Sequence, residues 1–265
     1  MISKSNYKTI KIKWENPFLT VILNRPEKRN ALNDLMVKEL KDIFSAVKED
    51  SSVRSVTLTG AGKVFCSGAD LAYLKELKDF SYNENLNDSL NLSKLFLEIY
   101  TLPKPVIAVV KGAAIAGGCG LATVCDFVIS EKGALFGYPE VRIGFVAALV
   151  SAFLIRQIGE RGAREMLLSG ELYSAEEALK RGLITSVAEK ETIEEQALEL
   201  SRKLSKNSPL AMAESKKILS AAVYKDIKKE LEFLARINAK FRKTDDFLEG
   251  ISAFLEKRAP QWGGE

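Results

Sequence analysis

The 265-residue chain contains no histidine. That absence excludes Ser-His-Asp and Cys-His nucleophilic catalysis and the common histidine metal sites. The three cysteines, Cys66, Cys119 and Cys125, are an odd number without framework spacing, and they make neither a zinc site nor a disulfide scaffold. Residues 1–13 are polar and basic and lack the apolar stretch of a signal segment. These features predict a reduced, cytoplasmic protein. No hydrophobic run is long enough for a membrane span, and no Pro- or Gly-rich linker, internal repeat or low-complexity tract marks a free domain boundary. Nor is there a large excess of either charge. With 39 basic and 35 acidic residues the net charge is +4, which suits an anionic small ligand and falls short of a nucleic-acid footprint. "TGAGK", residues 59–63, is not a Walker loop, because Thr57 stands where a glycine is needed and Val64 where Ser or Thr is needed. Acid–base chemistry is therefore left to Asp, Glu, Lys, Tyr or Cys.

What is present is a chain 46% hydrophobic, enough for a sizeable core. Residues 8–13 and 18–23 read as paired strands, and residues 30–50 as a helix with apolar positions at Leu35, Leu40, Ile43 and Val47. Residues 53–59 read as a strand, 90–102 as a helix, 106–110 as a buried strand and 118–124 as a short helix. This alternation predicts an α/β architecture with a mostly parallel sheet. Beyond residue 145 the strand signals nearly stop. Helices are expected over 146–158 and 162–168, after the capping box Ser174–Glu177, after Ser208–Pro209, and over 225–240 and 246–257. Amphipathic helices of this kind must bury a stripe, as a lid or as an oligomer surface.

Two stretches are nearly bare of side chains. "AIAGGCGLA", residues 114–122, lies between a predicted strand and a predicted helix, and "FCSGADL", residues 65–71, follows another strand. Each can turn unpaired N–H groups toward one spot, and together they could supply two donors to a single oxygen, as in an oxyanion or enolate site. Glycine content alone favours the plainer reading, two tight turns.

The motifs taken in order decide the matter. "LNRPEKRNALN" (23–33), "FCSGADL", "KPVIAVVKGAAIAGGCGLATVCDFVIS" (104–130), "FGYPEVRIGF" (136–145), "SAEEALKRGLI" (174–184) and "GISAFLEKRAPQW" (250–262) resemble the enoyl-CoA hydratase/isomerase family, the crotonase superfamily, over nearly the whole chain. The resemblance implies a crotonase-like spiral core of ββα repeats, residues 1–200, and a C-terminal helical trimerisation region, residues 201–265. It also implies a homotrimer or a hexamer built as a dimer of trimers. The substrate would be an acyl-CoA thioester, with coenzyme A carried by the substrate and no separate cofactor.

Residue by residue, the resemblance places the oxyanion-hole N–H groups on Ala69 and Gly117 and the catalytic carboxylate on Glu140. It places CoA contacts on Arg29, Ala31, Ser67, Asp70 and Leu71, counts Gly118 and Gly120 among the substrate-binding residues, and brings Lys257 from a neighbouring subunit. Gly120 departs from the pattern, since two-carboxylate hydratases carry their other glutamate there. One base that removes a proton and returns it elsewhere suffices to move a double bond, whereas hydration divides its work comfortably between two. The reading is thus an enoyl-CoA hydratase/isomerase leaning toward isomerisation. The alternatives are a single-glutamate hydratase, another reaction of the superfamily such as hydrolysis, decarboxylation or methylglutaconyl-CoA hydration, and an RNA-binding relative. Lys216, Lys217, Lys225, Lys228 and Lys229 raise the last, but Glu214, Asp226, Glu230 and Glu232 interleave with them as on a solvated helix surface. Asp126, at the end of the short helix, is expected to bond backbone rather than substrate.

Overall fold

The computed structural model describes residues 7–223 and 227–263. Residues 1–6 of the basic N-terminal segment, and Lys225 and Asp226 of the lysine cluster, lie outside the described residues. The N-terminal strands form as expected: β1 (Ile10–Glu15) and β2 (Phe18–Leu23) pair antiparallel. The Asn33 side chain accepts from the Met36 N–H to open α1 (Asp34–Glu49), whose buried stripe is Met36, Leu40, Ile43, Phe44 and Val47. Leu35 is exposed, because the phase of that stripe is set one residue later, by Met36 and Phe44.

β3 (Ser55–Gly60), α2 (Leu71–Leu77), α3 (Tyr82–Tyr100), β4 (Val106–Val110), β5 (Ala113–Ile115), α4 (Gly117–Thr123), β6 (Phe127–Glu131) and β7 (Leu135–Gly137) follow. After a 3₁₀ turn at Pro139–Ile143 come α5 (Ala148–Ser169), β8 (Leu172–Ser174), α6 (Ala175–Lys180), β9 (Ser186–Ala188) and α7 (Ile193–Ser205), then α8 (Pro209–Val223), α9 (Ile227–Phe241) and α10 (Asp245–Glu256). A six-stranded sheet runs β1-β2-β3-β4-β6-β9, parallel from β2 onward, and a three-stranded sheet runs β5-β7-β8. The chain passes repeatedly from a strand of the first sheet to a short strand of the second and then to a helix, as β4-β5-α4 and β6-β7-α5. Cys66 bridges Ala114 in parallel, so the segment after β3 joins the second sheet in the same manner.

Several elements differ from the sequence reading. α3 begins at Tyr82 rather than Leu90, opened by a capping box in which Ser81 Oγ accepts from Glu84 N–H and Glu84 Oε2 accepts from Ser81 N–H. Its first turns bury Asn85 and Ser89 and so hide the apolar period. The strands β5, β7, β8 and β9 and the helix α2 carried too little pattern to be read; a three-residue strand gives no period-2 signal. The two helices expected over 146–158 and 162–168 are the halves of α5, broken at Gly159 with φ 74° and ψ 165°. The capping box at Ser174 and Glu177 is present as read.

The main core lies between the large sheet and α1, α3 and α5, and a smaller cluster of Ile107, Val109, Ile129, Ile193 and Ala197 lies under α7 on the other face. The C-terminal helices are built into this body. α9 packs on α3 and α5, α10 packs on the Pro139–Ile143 turn, and the expected division after residue 200 falls inside α7. Among the described residues no helix is long and apolar enough to cross a membrane.

Candidate active site

The two glycine-rich loops meet. Asn30, fully buried, donates through its side-chain amide to the Ala61 and Val64 carbonyls and so shapes the exit from β3. The next segment is then threaded between two partners. Cys66 N–H donates to Ala113 O and its carbonyl accepts from Ile115 N–H, while Leu32 N–H donates to Gly68 O and Leu32 O accepts from Asp70 N–H. Bonds to Leu32 on either side of Ala69 turn the Ala69 N–H the other way, as successive peptide groups in an extended segment must. Among the described residues no backbone acceptor takes the N–H of Ala69 or of Gly117, which opens α4.

Gly68, at φ +90°, lets the loops close. A Cβ there would lie 2.8 Å from Ala116 Cβ and 3.6 Å from Gly117 N. Gly118 is seated as tightly, since a Cβ on it would fall 2.3 Å from Cys66 O. Small residues are therefore required by contact between backbones, which leaves two N–H donors in one small region.

Glu140 stands in the Pro139–Ile143 turn, close enough to α4 for its charge to act on Cys119. The turn is closed by left-handed Gly144, and the Phe145 N–H donates to Glu140 O at 3.0 Å. Glu140 is 8% exposed, and its buried Oε2 has no hydrogen-bond partner among the described residues. Burial pushes its pKa up to about 7, opposed only in part by a hydrogen bond from its own backbone. Its charge in turn raises the Cys119 thiol and the Tyr138 hydroxyl, although burial dominates for both and holds Cys119 at about 12. The Tyr138 hydroxyl is fixed to Thr123 Oγ1 at 2.7 Å. The carboxylate thus lies beside α4, where a base that is half ionised near neutrality could exchange a proton with a ligand held on the two loops.

Gly120 faces away from water into an apolar wall. A Cβ on it would come 2.5 Å from Val150 Cγ1 and 2.9 Å from Phe96 Cζ, both buried side chains. The space a side chain at position 120 would need is filled by hydrocarbon.

The other residues singled out in the sequence gather around the first loop, with one exception. Ser67 N–H donates to Arg29 O, and exposed Arg29 has a left-handed backbone, φ 51°. Ala31 is buried, with its carbonyl held by Arg25 Nη1 at 2.7 Å. Asp70 is engaged by Arg25 Nη2 at 2.6 Å in a largely buried pair, and Leu71 begins α2. Lys257 stands exposed at the end of α10, and among the described residues its side chain makes no ion pair with these loops. Asp126 accepts from Val106 N–H and from Lys216 Nζ, a structural role as expected. Sequence reasoning missed Arg25, which ties Ala31 to Asp70, and missed the Phe96–Val150 wall. Arg25 lies inside a quoted motif, but nothing in its spacing reveals a partner 45 residues away.

Comparison with known proteins shows the family. The family model described as "Enoyl-CoA hydratase/isomerase" matches residues 14–265. The chain is 43% identical over 242 residues to a putative enoyl-CoA hydratase of Thermus thermophilus, covering 91% of this chain and 96% of that one. It is 36% identical to the 2,3-dehydroadipyl-CoA hydratase of Escherichia coli, covering 93% and 95%. The crystal structure of an enoyl-CoA hydratase/isomerase from Xanthobacter autotrophicus superposes with a TM-score of 0.88 at 27% identity, covering 95% of this chain and 94% of that one. With the same folding pattern, the same motifs and similarity along nearly its whole length, this chain belongs to the enoyl-CoA hydratase/isomerase family.

Proposed function

We propose that the protein acts on an enoyl-CoA thioester, holding the thioester oxygen on the Ala69 and Gly117 N–H groups while Glu140 transfers a proton at the neighbouring carbon. The observation that carries this reading is the unpartnered Oε2 of buried Glu140 beside α4, together with the N–H groups of Ala69 and Gly117, which among the described residues meet no backbone acceptor. An oxygen that gains negative charge as the α-proton leaves is stabilised by fixed donors, one such donor being worth ~3–4 kcal/mol of barrier. A carboxylate whose pKa is about 7 is a stronger base than a solvated one and still returns the proton at neutral pH. Arg29, Ala31, Ser67, Asp70 and Leu71 would line the CoA moiety, with Lys257 reaching it from another subunit, and Gly118 and Gly120 would border the acyl group.

With hydrocarbon beside Gly120, removal and return of one proton by Glu140, that is, isomerisation of the double bond, is the reaction favoured. A second reading, hydration by a single glutamate, is supported by the relatives, whose names are those of hydratases. The test is incubation with a panel of 2-enoyl, 3-enoyl and branched unsaturated CoA esters, with products identified by mass and by absorbance. Isomers without a gain of water support the first reading, and a mass increase of one water supports the second. No change in any ester would overturn both.

A further inference from the structure

Arg242, just beyond α9, is 6% exposed. Its Nη1 pairs with Asp88 Oδ2 on α3 at 2.6 Å and also meets Asn85 Oδ1 at 3.2 Å. Asp88 in turn accepts from the Tyr73 hydroxyl of α2 at 2.5 Å. A buried ion pair is weak evidence for stability, since apolar residues of the same volume often serve as well. Its location is more informative. The Arg242 guanidinium lies over the Phe145 ring, 5.7 Å from its centroid, and Phe145 is the residue whose N–H closes the Glu140 turn. Phe145 also packs on Phe247 of α10 at 5.3 Å. Beside it the backbones touch: a Cβ on Gly144 would fall 2.0 Å from Asp246 O, and one on Gly250 2.3 Å from Ile143 O. The turn that carries Glu140 is thus pressed without a gap against the start of α10.

We propose that Arg242 is a positioning residue for Glu140: paired with Asp88 it pins the α9–α10 corner to α3, and through Phe145 that corner fixes the Pro139–Ile143 turn and keeps water from the carboxylate. The proposal rests on the reading of Glu140 as the base. It gives the C-terminal helices a task within one protomer, separate from any role in assembly. The titratable groups on which the Glu140 charge acts are Cys119 of α4 and Tyr138, and neither is among the residues of this corner.

The decisive variant is Asp88→Asn/Arg242→Met, which removes both charges and leaves the net charge unaltered, accompanied by Arg242→Lys, which keeps the pairing charge without the planar group over Phe145. In the folded double variant, kcat is expected to fall about tenfold or more with KM changed less than about twofold, as for a misplaced base. The Glu140 carboxyl band, assigned by infrared difference against Glu140→Gln, should titrate about one pH unit lower as water enters. Arg242→Lys should lie between the double variant and the wild type. A folded double variant with wild-type kcat and an unmoved carboxyl titration overturns the proposal, and so does a loss of thermal stability alone. Should the double variant not fold, Phe145→Leu breaks the link while leaving the ion pair, and the same two readouts apply. Because the infrared titration needs no turnover, failure of the wild type on every enoyl-CoA ester would overturn the proposed reaction without deciding the positioning role, which the titration still tests.

Discussion

Burial changes Glu140 from a carboxylate ionised throughout the neutral range into one balanced near pH 7. Two outcomes belong to this residue. As a base it works only when ionised, so kcat/KM should rise with pH through about 7 and then level. Glu140→Gln should abolish this limb and lower kcat roughly 10²–10⁴-fold, while calorimetry shows CoA-ester binding retained. Full activity in Glu140→Gln would end the catalytic assignment. The second outcome concerns stability. A folded pKa above the unfolded value means that the native state binds the proton more tightly, so between 4.5 and about 7 stability falls as pH rises. The full cost at pH 8 is on the order of 3 kcal/mol. Glu140→Gln should therefore melt higher than wild type at pH 8 and lose that advantage at pH 5; a difference independent of pH would contradict the raised pKa.

At the scale of elements, α4 and the loop beside it determine what chemistry can follow. The helix is short and fits because it has almost no side chains: Gly118 is pressed on Cys66, and Gly120 on Phe96 and Val150. Gly120 has no left-handed backbone, so the obstacle to a side chain is crowding alone. Gly120→Glu by itself should overpack this wall and cost about 1–3 kcal/mol or more, seen as a lower melting temperature. Combining it with Phe96→Ala makes room for the carboxylate. In folded oligomers of the double variant the ratio of hydrated to isomerised product from one enoyl-CoA should rise. An unchanged ratio would show that the missing acid does not set the reaction.

For the whole molecule, the C-terminal helices bury one side and leave another open. Leu210, Ile218 and Leu219 of α8, Phe233 of α9 and Phe254 of α10 are exposed. Apolar groups gathered on one helical region are expected to be covered by other copies of the chain. Light scattering should therefore report a trimer or hexamer, and deletion of residues 246–265 should disturb both assembly and activity. A stable, fully active monomer would refute this. The small positive charge leads to a second expectation, that CoA-ester affinity falls from low to high ionic strength. A flat response would count against anchoring by exposed Arg29 and Lys257. The lysine-rich helices are not a free basic stripe, since Lys216 is tied to Asp126 and Lys217 to Glu214. An RNA shift assay across salt concentrations should accordingly show no specific band.

Much of this was legible in the linear pattern, because the signals involved are local. β2, β4 and the helices α6, α8, α9 and α10 follow from periods and caps that any short window contains, whereas α7 went unread, and the missing histidines limited the base to a few residue types. The glycine-rich stretches, with the motifs around them, pointed to Ala69, Gly117 and Glu140. What lies beyond a short window was not legible. The Ser81–Glu84 box was overlooked because buried Asn85 and Ser89 mask the apolar stripe behind it, and the three-residue strands exist only through partners far along the chain. The sequence by itself determined the longer elements, the scarcity of side chains in two loops and the glycine at position 120. Only the tertiary structure decided that Arg25 occupies Asp70, that Phe96 and Val150 fill the space beside Gly120, and that the turn bearing Glu140 is clamped by α10. The reason is physical: burial, close backbone contact and pKa depend on which atoms surround a group in space, and those atoms come from segments that no local reading of the chain joins.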